Sequence, residues 1–169
     1  NGCYDQDSLN VLDHKICLYA REFLEVDDDL IPTGRILPVK DTVMEFAEQP
    51  LRTIGERKFP YDHCYVLVND SIEWKCTTRR PLRLAAEVYS QRTGIKMSFM
   101  TDEPAFQFYI GGFIPEHGLQ TKKTQTSEMI SLGKNSGFCL EAQRFPDAIN
   151  HDGWRKQVIL ATNDIYRQQ

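Results

Sequence analysis

Three polar residues stand where short apolar runs meet turns: Asp62 in Tyr61-Asp62-His63, Gln107 in Phe106-Gln107-Phe108-Tyr109, and Glu141 in Phe138-Cys139-Leu140-Glu141-Ala142-Gln143. Aromatic residues lie near them along the chain: Tyr61, Tyr65, Phe106, Tyr109, Phe138, Phe145 and Trp154. Two carboxylates and a carboxamide beside rings are the groups that bind a sugar. Carboxylates and amides hydrogen-bond hydroxyls in pairs, and aromatic faces cover the C–H patches of a pyranose. Each residue also has a structural use. Asp62 before a strand satisfies loop N–H groups, Gln107 faces solvent from a strand, and Glu141 sits in water on an edge strand. The residues alone leave both readings open.

Other chemistries find less support. His14 falls on the apolar side of its strand and reads as a packed residue, and His117 lies in a polar loop and reads as solvated. His63 and His151 sit in loops beside the candidate site, where a role is open to them. No HxH, HExxH, CxxC or CxH spacing starts a metal site, and no cofactor or metal is expected. Gly111-Gly112 and Gly133 build neither a dinucleotide fingerprint nor a P-loop. Gly137 precedes a strand rather than a helix, so it is no nucleophile elbow.

The elements that would position these residues are strands. Residues 138–143 alternate, Phe138, Leu140 and Ala142 against Cys139, Glu141 and Gln143, the period of two that sends neighbours to opposite faces. A loop rich in turn formers follows, from Pro146 through Asp147, Asn150 and Asp152 to Gly153. Residues 11–19 alternate as a half-buried strand, and residues 36–39 form a short edge strand interrupted by Pro38. Residues 64–68 are an apolar run of strand formers after Asp62 and His63, and Asn69-Asp70-Ser71 is a turn. Residues 82–89 and 95–101 flank a five-residue loop ending in Gly94, which predicts a hairpin. Residues 106–110 alternate again, and residues 157–162 predict a last strand. Residues 21–29 could pass for a helical turn, residues 42–49 are the one good helix candidate, and residues 51–60 and 113–134 read as loop. Asn1-Gly2 opens a turn-like start. Seven or eight short strands and at most one short helix predict an all-β sandwich or barrel without repeats or an internal domain boundary.

Composition agrees with an ordinary globular domain of 169 residues, 41% hydrophobic and 26% charged. A net charge of -4 argues against a nucleic-acid surface, and Arg79-Arg80 and Lys122-Lys123 are isolated basic pairs. No apolar run approaches the ~20 residues of a membrane span, so no membrane partner is expected. Five cysteines at irregular spacing read as free thiols of a reducing compartment, making the cytoplasm the expected location.

The motifs resemble those of the aldose 1-epimerase (galactose mutarotase) family, in its C-terminal half. The matching segments are Leu30-Ile31-Pro32-Thr33-Gly34 with Pro38-Val39, Tyr61-Asp62-His63, and Gln107-Phe108-Tyr109-Ile110-Gly111. The longest is Ser136-Gly137-Phe138-Cys139-Leu140-Glu141-Ala142-Gln143, continued by Phe145-Pro146-Asp147-Ala148 and Asn150-His151. They occur in family order across nearly the whole chain. The resemblance implies a galactose-mutarotase-like β-sandwich (supersandwich) of twisted antiparallel sheets, here an incomplete portion. Residues 1–169 would be the C-terminal portion of a single aldose 1-epimerase domain.

It further implies cofactor-free interconversion of the α and β anomers of a hexose such as galactose or glucose. Glu141 would be the catalytic general base at the anomeric hydroxyl, and Asp62 and Gln107 would hydrogen-bond sugar hydroxyls. A histidine would protonate the ring oxygen so that the ring opens, rotates about C1–C2 and closes on its other face. None of the four histidines matches the acid's motif, so the partner expected besides the monosaccharide is the N-terminal half of the same protein. The isolated chain is expected to be inactive alone and poorly stable, with open sheet edges. Local departures are Asp41-Thr42-Val43-Met44-Glu45 in place of Gly-Thr-x-Phe-Asp, Cys64 where asparagine commonly follows Asp-His, and Ala105 in place of a glycine. Other readings are a non-catalytic sugar-binding or structural remnant of the fold, the mutarotase region of a bifunctional UDP-galactose epimerase, and a hexose-phosphate epimerase using Arg79, Arg80 or Arg144.

Overall fold

A computed structural model describes residues 10–46, 50–68, 80–115, 117–120, 122 and 131–169. The expected turns at residues 1–2 and 69–71 lie outside the described residues. The described chain is built of strands, in order β1 (Lys15–Leu18), β2 (Glu22–Val26), β3 (Pro32–Pro38), β4 (Arg52–Thr53), β5 (Asp62–Val66), β6 (Arg83–Tyr89), β7 (Lys96–Thr101), β8 (Ala105–Tyr109), β9 (Leu119–Gln120), β10 (Ser131–Leu132) and β11 (Cys139–Gln143). Three short 3-10 helices complete it, at Ile54–Arg57, Ala148–Asn150 and Arg155–Gln157. Among the described residues no helix is long and apolar enough to cross a membrane.

The strands form a four-stranded antiparallel sheet ordered β4-β1-β6-β7 and a five-stranded antiparallel sheet ordered β11-β8-β5-β2-β3, with β9 and β10 paired apart. The main core lies between the two large sheets. Ile16, Leu18, Ala86 and Val88 come from one sheet, and Tyr65, Phe106 and Phe108 from the other. The rings interlock, with Tyr65 stacked on Phe106 at 5.7 Å and Phe99 edge-on to Phe106 at 5.8 Å. Each such pair contributes about 0.5–1.5 kcal/mol beyond its buried area. The all-β expectation therefore holds, as do the β6–β7 hairpin, β5, β8, β11 and the edge strand β3, which begins earlier than predicted.

Five local expectations do not hold, the first being the loop expected over residues 113–134, within which β9 and β10 pair. Residues 42–46, the described part of the helix candidate, form turns, because their carbonyls are taken by side chains from outside. Arg57 donates to Thr42 O, Tyr61 OH to Val43 O at 3.0 Å, and Tyr65 OH to Met44 O at 3.1 Å. Burying two tyrosine hydroxyls demands acceptors, and that demand overrides a two-turn helix. Residues 22–26 are strand β2 rather than a helical turn; β2 sits between β5 and β3, and its Glu25 binds Thr33 and Arg35 of the neighbouring strand. Residues 52–53 form a strand inside the expected loop, and the predicted last strand is a 3-10 helix followed by irregular chain. There Gln157 turns its side chain inward to accept from Phe145 N at 3.3 Å, and Val158, Ile159 and Leu160 stay exposed in irregular chain. The strand at residues 11–19 is shortened to Lys15–Leu18, since Asn10 and Val11 close a turn ahead of it.

Candidate functional site

The three candidate residues come from three adjacent strands. Antiparallel register places Cys64 opposite Gln107 and Gln107 opposite Glu141. One rung on, Asp62 faces Tyr109 and Tyr109 faces Cys139. Because side chains alternate along each strand, Asp62, Cys64, Gln107, Tyr109, Glu141 and Gln143 emerge on one face of the five-stranded sheet. All six line a single cavity of about 390 Å³. The intervening residues Tyr65, Phe106, Phe108 and Leu140 point the other way, into the main core.

The cavity has two characters. Its polar groups stand on β5, β8 and β11. Leu24, Val26, Leu30 and Pro32, from β2, β3 and the turn between them, and Pro146 supply apolar surface. The chain after β11 folds back over the same sheet face, where Phe145, Ala148 and Trp154 pack on Leu24, Cys64, Val66 and Ala105 as a second apolar cluster. His151 braces this cover to β3: its Nε2 lies 3.2 Å from Pro32 O and 3.4 Å from Asp147 Oδ2, and its ring packs on Trp154 at 4.6 Å.

Within the cavity Gln107 Nε2 donates to Asp62 Oδ1 at 2.6 Å, which orients both groups. Gln143 Nε2 approaches the Cys64 sulfur at 3.8 Å. Burial pushes the Cys64 thiol up to about 12, against a small opposing pull from Gln143, so it remains protonated and inert. Burial also raises the Cys139 thiol, and the Glu141 and Asp62 carboxylates push it the same way. Glu141 itself is exposed, and β11 is the outer strand of its sheet. The solvent-edge reading of Glu141 thus describes its surroundings, and the cavity describes its direction.

The rings expected around the site divide. Tyr109 lines the cavity, stacked on Phe113 at 6.2 Å and accepting a hydrogen bond from Phe113 N. Tyr61, Tyr65 and Phe106 are buried in the main core with Phe138 packed against it, whereas Phe145 and Trp154 belong to the second cluster. His63 does not belong to a site loop. It is a buried strand residue packed on Phe23 and Phe59, and burial lowers its basicity although Asp62 opposes this. His14 packs edge-on to Phe138, and His117 is exposed. Among the described residues, no histidine, lysine or arginine lines the cavity. Arg144, one of the candidate phosphate contacts, is instead held in a buried ion pair with Glu103 at 3.1 Å. Among the described residues no group of His, Cys, Asp or Glu is arranged to hold a metal ion.

Sequence reasoning missed the apolar side of the cavity. Leu30 and Pro32 were visible only as part of a family-like segment, and Leu24 and Val26 read as part of a helical turn. Gln143 was visible as a neighbour of Glu141 on the same strand face.

Comparison with known proteins identifies the family. Residues 6–169 match the family model for aldose 1-epimerase. Galactose mutarotase of Sus scrofa is 32% identical over 164 residues, 95% of this chain and 43% of that protein, and the Rattus norvegicus protein is 33% identical over 166 residues. The bifunctional protein gal10 of Schizosaccharomyces pombe is 27% identical over 146 residues, 18% of its length. A crystal structure of a GalM/aldose epimerase homologue from C. elegans superposes with a TM-score of 0.64 at 26% identity, covering 87% of this chain and 41% of that one. The chain therefore spans less than half the length of these relatives, and its paired antiparallel sheets are those of the galactose-mutarotase-like fold. By its motifs, its sheets and its matched length, the chain belongs to the aldose 1-epimerase family.

Proposed function

We propose that the protein containing this chain is an aldose 1-epimerase that interconverts the α and β anomers of a neutral hexose such as galactose or glucose. The observation that carries the reading is the convergence of Glu141, Gln107 and Asp62 on one cavity from three adjacent strands. Glu141 is the general base. It takes the proton from the anomeric hydroxyl as an acid protonates the ring oxygen, the C1–O5 bond breaks to the open aldehyde, and closure on the other face returns both protons. Asp62 and Gln107 hold sugar hydroxyls. Their mutual hydrogen bond fixes the orientation in which they present their remaining donor and acceptor sites.

The acid is assigned to a histidine of the N-terminal half of the same protein, with residues 1–169 as the C-terminal portion of one epimerase domain. The free thiols of Cys17, Cys64 and Cys139 support a cytoplasmic setting. The Asp62 and Glu141 carboxylates line the cavity with no cation beside them among the described residues, which favours neutral sugars over hexose phosphates. The similarity to gal10 supports a second arrangement, in which the same epimerase region is fused to another enzyme.

Polarimetry of freshly dissolved α-D-galactose tests the reading on the full-length protein. The protein accelerates the optical change, and Glu141→Gln lowers kcat by at least about 100-fold. Absence of acceleration by the wild-type protein, or full activity in Glu141→Gln, would leave a non-catalytic sugar-binding module.

A further inference from the structure

Leu30 is the one bulky aliphatic residue held in a left-handed backbone conformation among the described residues. Its φ is 62°, whereas the other non-glycine positions with positive φ hold Asp, Asn or Lys. A branched aliphatic side chain is disfavoured there, where glycine or asparagine would fit without strain. Such strain persists only where the surroundings dictate it.

The turn around Leu30 is heavily specified. Asp27 Oδ1 accepts from Asp29 N at 3.0 Å and Ile31 N at 2.9 Å, Asp27 N donates to Ile31 O at 2.9 Å, and Leu30 N donates to Asp27 O at 3.0 Å. Below the tip Glu25 accepts from Thr33, and beyond it His151 lies against Pro32 O. The hairpin tip is thus fixed in place with Leu30 on it.

Neither turn chemistry nor burial among the described residues explains a leucine at this position. The turn would form more easily with glycine, and the side chain remains 44% exposed. That side chain lines the cavity, on the hairpin side, whereas the polar groups come from β5, β8 and β11. A pyranose has the matching division, with hydroxyls at its edge and C–H groups on its faces.

We propose that Leu30 is a specificity-determining residue of the cleft, its isobutyl group forming the apolar surface on which the C–H face of the bound sugar packs. The assignment rests on the sugar-epimerase reading and adds to it a contact acting equally on ground state and transition state. Such a contact sets KM and leaves kcat alone.

The test compares Leu30→Asn, Leu30→Gly and Leu30→Met in the full-length protein, by mutarotation kinetics on galactose and by thermal melting. Asparagine relieves the strain and removes the apolar group. It is expected to raise Tm by about 1–4 °C while raising KM about 5- to 20-fold, with kcat within about twofold of wild type. Glycine should give the same rise in KM with Tm at or above wild type. Methionine keeps an apolar side chain and the strain, and should leave both KM and Tm close to wild type. An active wild type whose KM is unchanged by Leu30→Asn and Leu30→Gly overturns the proposal and leaves the epimerase reading standing. The proposal also falls if both variants melt below wild type, since leucine is then the residue the turn prefers. It falls as well if Leu30→Met raises KM as much as they do. An inactive full-length wild type overturns the epimerase reading and this inference together.

Discussion

Gln107 and Asp62 share a hydrogen bond of 2.6 Å across two adjacent strands, made from side chains that both open onto the cavity. The amide thereby holds one carboxylate oxygen and leaves the other for a ligand. Substituting Asp62→Asn replaces a charged acceptor by a neutral one and removes the preferred partner of the Gln107 amide. A lost charged hydrogen bond is worth about 1.5–3 kcal/mol. KM for galactose in the full-length protein should therefore rise about 10- to 100-fold, and steady-state polarimetry measures it. An unchanged KM would refute the proposed role of Asp62 as a sugar contact.

Gly34 has φ of +90°, and a Cβ built there would lie 2.9 Å from His151 Nδ1. Gly34→Ala therefore adds both left-handed strain and a clash with the ring that braces Pro32. A stability loss of about 1–3 kcal/mol is expected from denaturant titration. Melting unchanged from wild type would mean that the His151 brace yields without cost.

Arg144 and Glu103 form an ion pair with side chains only 10% and 1% exposed, and Tyr166 OH adds a hydrogen bond to Glu103 at 3.1 Å. Burial raises the Glu103 pKa while Arg144 pulls it down. Arg144→Met strands a buried carboxylate and should cost about 3–5 kcal/mol, and the double variant Glu103→Gln/Arg144→Met should recover much of that loss. A double-mutant cycle on unfolding free energies decides it. Additive losses would deny the coupling.

His63 is buried, and desolvation lowers its pKa from 6.5. The unfolded chain then binds more protons than the folded one as pH falls below about 6.5, so stability present above that pH is lost as pH drops toward the lowered folded value. His63→Phe should flatten this slope, read as Tm against pH between about 7 and 5. An equally steep slope in the variant would place the acid sensitivity elsewhere.

The strands that carry the site were legible because their alternation is clean. Phe106-Gln107-Phe108-Tyr109 and Cys139-Leu140-Glu141-Ala142 assign each side chain to a face before any partner is known. Which strands become neighbours is a property of long-range pairing, and periodicity says nothing of it. β2 was obscured by its acids Glu22 and Glu25, one of which answers Arg35 on the next strand. Residues 42–46 carry helix-compatible side chains, but the backbone carbonyls of Val43 and Met44 are claimed by Tyr61 and Tyr65 from outside the segment. Leu30 was illegible for a related reason: its backbone conformation is set by Asp27 and the hairpin register rather than by its own preference.

The rungs joining β5, β8 and β11 have a consequence for how the protein acquires its cleft. Asp62 and Gln107 are 45 residues apart in sequence, and Glu141 joins from a strand further along. Closing such loops costs entropy before any contact rewards it, whereas the β6–β7 hairpin can close early. On the proposed reading, sugar binding should thus return after most β structure during refolding, which makes the cleft a reporter of the last long-range pairing.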